Sequence, residues 1–330
     1  MNYKRVLCYN QRMKYDFVNV IIQILILNAY IALGYFVRKR KIITSVGTAE
    51  LSKFLINIIF PIFIFNAFRI EYNPAYLSTI GVMISLVLLY LLISYFLGRL
   101  TAKHFTTNPV DSRTFVYNTV FGNVAFLAFP IIAALFKGRP EAIFFASLFT
   151  LVQNTFQWTV GVNLMQPQKN VLASLKYMIQ PQLVAIFLGM VFYFLQIKLP
   201  APVIDFSNML GNMAIPIALI ITGATLVGFK FSDIVASKPV QAAAIIKTFI
   251  FPLIFVLILR LLPLALWLGE DFAFMLRTII VIQVAGPLQA SATAFIKNFH
   301  GNDEMTARVV FLSTIYCLAS IPLFLFLASI

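Results

Sequence analysis

Two stretches decide how this chain folds: FGNVAFLAFPII at residues 121–132 and IQVAGPLQASATAF at residues 282–295. Both are apolar enough to lie in hydrocarbon, yet both carry helix breakers. Gly122 and Asn123 precede Pro130 in the first, and Gly286 stands beside Pro287 in the second. In a bilayer every backbone polar group needs an internal partner, so an interrupted helix is tolerated only where it is buried or lines a wet cavity. A proline removes one helical hydrogen bond and crowds the carbonyl four residues earlier, here Phe126 and Gln283. Those carbonyls are expected to become free ligands. The half-helix resuming after each break is expected to offer N–H groups and about half a positive charge to an anion. Prolines also kink membrane helices that bind nothing, and it is the matched pairing of the two breaks that favours a site.

The rest of the chain makes the bilayer the solvent. Of 330 residues 61% are hydrophobic and only 11% charged, against about 25% charged in soluble proteins, and the mean hydropathy is +0.92. That is enough apolar sequence for about ten spans of about twenty residues. Apolar runs predict spans at 17–37, 49–68, 76–100, 114–136 and 141–164, then at 171–195, 206–228, 240–262, 272–296 and 307–328. The expected fold class is therefore an all-α polytopic membrane protein. Its organisation is an N-terminal tail (1–16), a five-helix repeat (17–164), a linker (165–170) and a second five-helix repeat (171–330). Gly34 and Gly189, Pro61 and Pro216, and Pro130 and Pro287 recur at separations of 155 to 157 residues. An odd-numbered unit inserts its second copy upside down, the inverted architecture in which many transporters place a midplane site.

Orientation follows from the basic residues. Placing Arg38, Lys39, Arg40 and Lys41 in the cytoplasm groups fourteen cations there against ten opposite, four of which lie in the N-terminal tail. Both termini are then expected outside, in a bacterial inner membrane. The basic tail argues against this unless Met13 is the natural start and residues 1–12 an extension. The first apolar run exceeds the roughly 7 to 15 residues of a secretory signal core and reads as a retained span. The net charge of +14 sits in short gaps between apolar runs, which gives nucleic acid no weight as a partner.

Lys247 is the one clear ionisable residue inside a span, seven residues past Val240. That is about 10 Å along the helix, so its stem could snorkel to the interface or its charge could serve a site. No acid lies deep in any span, which disfavours a cationic substrate and a carboxylate proton relay. Among polar residues within spans, Asn57, Gln153, Asn154 and Thr222 read as helix–helix contacts. Asn123, Gln283, Gln289 and Ser291 gain weight because they flank the breaks. His104 and His300 fall in interfacial loops, and Cys8 and Cys317 form no metal or redox spacing. No enzymatic set, metal site, cofactor site or phosphate-cradling glycine loop is expected, so transport would draw on gradients.

At GNVAFLAFPIIAALFKG (122–138), NTFQWTVGVNL (154–164), NMAIPIALIITGATL (212–226) and MTARVVFLSTIYCLASIPL (305–323) the sequence resembles the auxin efflux carrier family, which includes plant PIN carriers and bacterial organic-acid permeases. The resemblance implies ten helices in two inverted repeats, with scaffold and transport sets each drawn from both. It also implies a substrate beside the crossing of the fourth and ninth helices. Carried over by motif, Asn123 and Pro130 fall on the first broken helix and Pro287 on the second. The sixth span usually carries Asn-Pro in that family and here reads Gln180, Pro181, Gln182; Gly286 before Pro287 also departs from the pattern.

The expected function is secondary transport of a small carboxylate anion by an elevator-like displacement. Asn123, Pro130, Gln283, Pro287, Gln289 and Ser291 form the candidate site, and Lys247 compensates charge or replaces a coupling cation. Na⁺ or H⁺ are candidate coupling ions, the lipid bilayer is a partner, and a second copy of the chain is a candidate one. The rival readings are a sodium-coupled symporter of bile-acid type, an anion channel and, last, a receptor without flux.

Overall fold

The structure is a computed structural model that describes residues 17–166, 179–227, 237–289 and 291–329, and every regular element among them is helical. The first six helices are α1 (Phe17–Lys39), α2 (Ser45–Ala67), α3 (Ala75–Phe105), α4 (Pro109–Val120), α5 (Ala128–Leu135) and α6 (residues 140–165). Then come α7 (Pro181–Leu195), α8 (Ala201–Thr225), α9 (Lys238–Leu261), the short α10 (Leu264–Leu268), α11 (Glu270–Ala285), α12 (Ala292–Asn298) and α13 (Asp303–Ser329). The tail 1–16, and residues 167–178 where the linker and the start of the sixth expected span fall, lie outside the described residues.

Local chemistry explains the boundaries that differ from expectation. The second span begins at Ser45 rather than 49 because Thr44 caps it, its hydroxyl accepting from the Gly47 N–H at 3.0 Å. The fourth begins at Pro109 rather than 114, with Asn108 accepting from the Asp111 N–H at 2.8 Å and proline in the first turn. The seventh begins at Ala201, directly after Pro200. Helix α10 has no counterpart among the expected spans, and it ends at Gly269, which takes a φ of 78°.

Ser45–Ala67, Ala75–Phe105, Ala201–Thr225, Lys238–Leu261 and Asp303–Ala328 are long and apolar enough to cross a membrane. Their outward faces are apolar as well. Helix α7 exposes Val184, Phe187, Leu188, Val191 and Phe194 at helical spacing, and α3 exposes Leu92, Phe96 and Leu100. A water-soluble domain would bury such stripes.

Helix α1 packs along α8, and α7 along α2; α4 and α6 flank α3, and α11 and α13 flank α9. The α1–α8 contact is backbone on backbone. A methyl group at Gly34 would overlap the Ile220 carbonyl, and one at Gly223 would overlap that of Ile31. Small residues permit such close approach where lipid leaves no hydrophobic drive for association.

Gly34→Leu or Gly223→Leu should therefore lower the thermal unfolding midpoint in detergent, by an amount matching at least about 1–3 kcal/mol of overpacking. Gly81→Ala, where nothing lies within 4 Å of the added carbon, should leave it unchanged or raise it by up to about 1 kcal/mol equivalent.

Candidate functional site

Between α4 and α5 the chain is non-helical over residues 121–127, and between α11 and α12 over the described residues 286–289 and 291. The two interruptions touch. The Asn123 N–H donates to the Pro287 carbonyl at 2.7 Å. A side-chain carbon at Gly286 would lie 3.5 Å from the Asn123 carbonyl oxygen, and one at Gly122 would lie 2.9 Å from the Lys247 Nζ. Neither glycine has a positive φ, so both are explained by space.

The freed backbone groups find side-chain partners. Gln153 of α6 donates to the Gly122 carbonyl at 2.9 Å and accepts from the Gly122 N–H at 3.4 Å. Asn123 Oδ1 accepts from the Phe126 N–H at 2.9 Å, and Ser313 of α13 accepts from the Leu288 N–H at 3.1 Å. Ser320 donates to the Ala285 carbonyl at 3.3 Å. Helices α4 and α11 both end at the crossing, so their carbonyl ends, each carrying about half a negative charge, converge there. Lys247 of α9 meets them. Its Nζ donates to Tyr90 OH at 2.7 Å and to the Val284 carbonyl at 3.5 Å, and Tyr90 OH donates on to the Val120 carbonyl at 3.4 Å.

Beside the crossing lies a cavity of about 600 Å³. Its walls come from the first half of α2 (Ser52, Ile56), from α6 (Asn154, Gln157, Trp158), from Thr222 and Thr225 of α8, and from the crossing itself (Asn123, Gln289, Ser291). No charged residue lines it among those described. Gln289 Nε2 donates to Gln157 Oε1 at 2.9 Å, and Gln157 Nε2 donates to Tyr117 OH at 2.9 Å. Farther along α2, Phe60 packs edge-on against Phe126 at 5.2 Å and Phe68 packs on Phe144 at 4.8 Å.

Of the residues singled out in the sequence, Asn123, Gln289 and Ser291 line the cavity, as do Asn154 and Thr222, read there as helix–helix contacts, and Gln180 and Gln182, while Pro287 contributes its carbonyl to the crossing. Gln283 does not line it: fully buried, its Nε2 donates to the Val124 and Ala146 carbonyls at 3.3 and 3.1 Å. Pro130 does not either. It stands in the first turn of α5, where a missing N–H costs nothing, so the chain interrupts ahead of it rather than at it. Helix α11 likewise runs through Gln283 to Ala285. Lys247 is completely buried, which removes the snorkelling alternative, and it sits at the crossing off the cavity wall. Gln153, Gln157, Tyr117 and Trp158 join the site although no neighbouring breaker marks them. The spacing Gln153, Asn154, Gln157 on one apolar helix is the signal that could find the first two, sharpened by the π-helical turn 157–161.

The family model for membrane transport proteins matches residues 19–325. The chain belongs to this family, the auxin efflux carrier or PIN-like group. Comparison with curated proteins gives no match. Family membership and the apolar helices make the chain a multi-pass integral membrane protein and a membrane transporter.

In this transporter two clasps bind the segments around the crossing at their far ends. Arg139, in the loop after α5, forms a fork of hydrogen bonds to Asp271 in the first turn of α11 at 2.7 and 2.6 Å, and a third bond to Glu141 at 2.8 Å. The bond to Asp271 outweighs the opposing cost of burial and holds the guanidinium above its ordinary range. At the other end Asn302, in the loop after α12, donates to Asp111 in the first turn of α4 at 2.8 Å.

Gln153→Leu would strip partners from the Gly122 N–H and carbonyl inside an apolar interior, at about 1–3 kcal/mol for each. The thermal midpoint of purified Gln153→Leu protein should fall accordingly. Gln157→Leu, which removes only a side-chain partner of Tyr117 and Gln289, should cost less.

Proposed function

We propose that this transporter carries a small organic anion bearing a carboxylate, as a secondary carrier whose substrate binds in the cavity beside the crossing. The observation that carries this reading is the Asn123–Pro287 contact beside an open cavity whose largely apolar wall carries amides and hydroxyls. Among apolar residues the described lining holds amides and hydroxyls and no charged residue of either sign, so its N–H and O–H groups can donate to an anion while no acid holds a cation. Asn123, Gln289 and Ser291 are the substrate-facing residues. Pro130, Gln283 and Pro287 shape the crossing behind them.

The proposed architecture is ten spans in two inverted five-helix repeats, with α4–α5 and α11–α12 as the broken fourth and ninth. Three pairings support it. First span on seventh (α1 on α8) is matched by sixth on second (α7 on α2). The carbonyl ends at Val120 and Val284 meet the same Lys247–Tyr90 pair. The Asp271 clasp is matched by the Asp111 clasp. An elevator-like motion would slide the crossing and its clasped segments against α1, α2, α7 and α8. The cavity reaches Ala49 and Ser52 at the start of α2, just after the Arg38–Lys41 turn. With that turn in the cytoplasm and both termini outside, this is an inward-facing state.

Lys247 occupies the place where two helix carbonyl ends would otherwise attract a cation, which favours a carrier that needs no sodium over the sodium-coupled reading. H⁺ coupling and a homodimer remain part of the proposal.

A thermal-stability screen against mono- and dicarboxylates should give at least one hit, because a ligand selective for the folded state stabilises by mass action, about 2.7 kcal/mol at a hundred times Kd. In proteoliposomes the hit should show saturable uptake and exchange, without a sodium gradient. Asn123→Ala should weaken binding at least tenfold while keeping a cooperative melt. Unsaturable flux would instead mark an anion channel, and sodium dependence would restore the symporter reading.

A further inference from the structure

The turn between α1 and α2 carries a cluster that transport does not use. Arg38, Lys39, Arg40 and Lys41 are four consecutive cations, and Lys53 follows on α2. The turn is firmly built. Lys41 takes a left-handed φ of 58°, the Lys41 N–H donates to the Arg38 carbonyl at 3.1 Å, and the Ile42 N–H donates to that of Val37 at 2.9 Å.

Most arginines outside this turn have protein partners: Arg139 with Asp271, Arg308 with Glu304, Arg69 with Ser207, and Arg113 with the Met165 carbonyl. The four cations of the turn have no ion pair or hydrogen-bond acceptor among the described residues. Two of them stand over exposed aromatic rings one turn back on α1, Lys39 over Tyr35 at 5.6 Å and Arg40 over Phe36 at 5.1 Å.

Beside them Ile42 and Val46 are 70% and 64% exposed, and a shallow groove of about 460 Å³ is lined by Ile42, Ile43, Leu51 and Phe54, with Thr44 and the carboxylate-bearing Glu50 at its polar edge. Aromatic rings at the headgroup level with cations just above them mark a bilayer interface. A basic cluster there attracts anionic headgroups. The apolar side of the groove, and the exposed Leu33 and Phe36 on α1, offer surface for acyl chains.

We propose that the α1–α2 turn is a binding site for an anionic phospholipid, its phosphate held by Arg38–Lys41 and an acyl chain lying along the Ile42–Phe54 groove. A soluble phosphate has nothing to lay in the groove, so the lipid is the occupant that uses both halves of the surface.

The test measures thermal midpoints and native mass spectra of the whole purified chain in detergent with added phosphatidylglycerol, phosphatidylcholine or inorganic phosphate. Phosphatidylglycerol should raise the midpoint saturably and appear as a bound adduct; phosphatidylcholine and phosphate should do neither. At about 1 kcal/mol per cation near the surface, Lys41→Gln should weaken phosphatidylglycerol binding about fivefold. The combined Arg38→Gln, Lys39→Gln, Arg40→Gln, Lys41→Gln variant should bind it no better than phosphatidylcholine, and Lys198→Gln should bind like the unaltered chain. If the combined variant does not fold, the single variants carry the same test. Equal responses to the two lipids, a shift reproduced by phosphate alone, or unchanged binding in the variants would overturn the proposal.

Discussion

The architecture turns on one demand: the backbone groups released where two helices stop inside an apolar interior must all find partners. Leaving each unpaired would cost several kcal/mol in hydrocarbon. One direct bond, from the Asn123 N–H to the Pro287 carbonyl, joins the two interruptions, and Gln153, Ser313, Ser320, Tyr90 and Lys247 meet the groups around it. Those side chains come from α6, α13, α3 and α9, so four surrounding helices are held in place by what the crossing needs. The glycines at 122 and 286 let the two segments and the lysine come this close.

The same arrangement separates two electrostatic environments. Helix carbonyl ends meet Lys247 and Tyr90, which stand off the cavity wall, and the described residues of the cavity set uncharged amides and hydroxyls among apolar side chains. A lysine buried in this way is costly unless its charge is used. Two converging helix ends supply that use.

The helical membrane class is legible in the apolar runs, and the neighbourhood of the candidate site in the two breaker pairs. Asn123, Gln289 and Ser291 stand out because they flank the breakers. Proline alone does not set the opening of the helix. Pro130 is accommodated inside the first turn of α5, and the chain opens earlier, at Gly122 and Asn123, where Gln153 and Pro287 offer better partners than the helix does. Gln283 is close to the cavity in sequence, but its helix face turns it toward Val124 and Ala146. Gln157 and Tyr117 lie far from the second breaker pair along the chain, and nothing local marks their bond to Gln289.

Composition and pattern by themselves determined that this chain lives in lipid, that it is helical, and that two of its apolar segments carry paired breakers. Those outcomes depend on transfer energies and backbone propensities that each residue brings with it. Tertiary structure alone decided where the helices open, which side chains take up the released N–H and carbonyl groups, and that Lys247 faces helix ends instead of the interface. Those outcomes depend on hydrogen bonds between residues on separate helices, many of them more than a hundred positions apart, whose geometry exists only once the helices have packed.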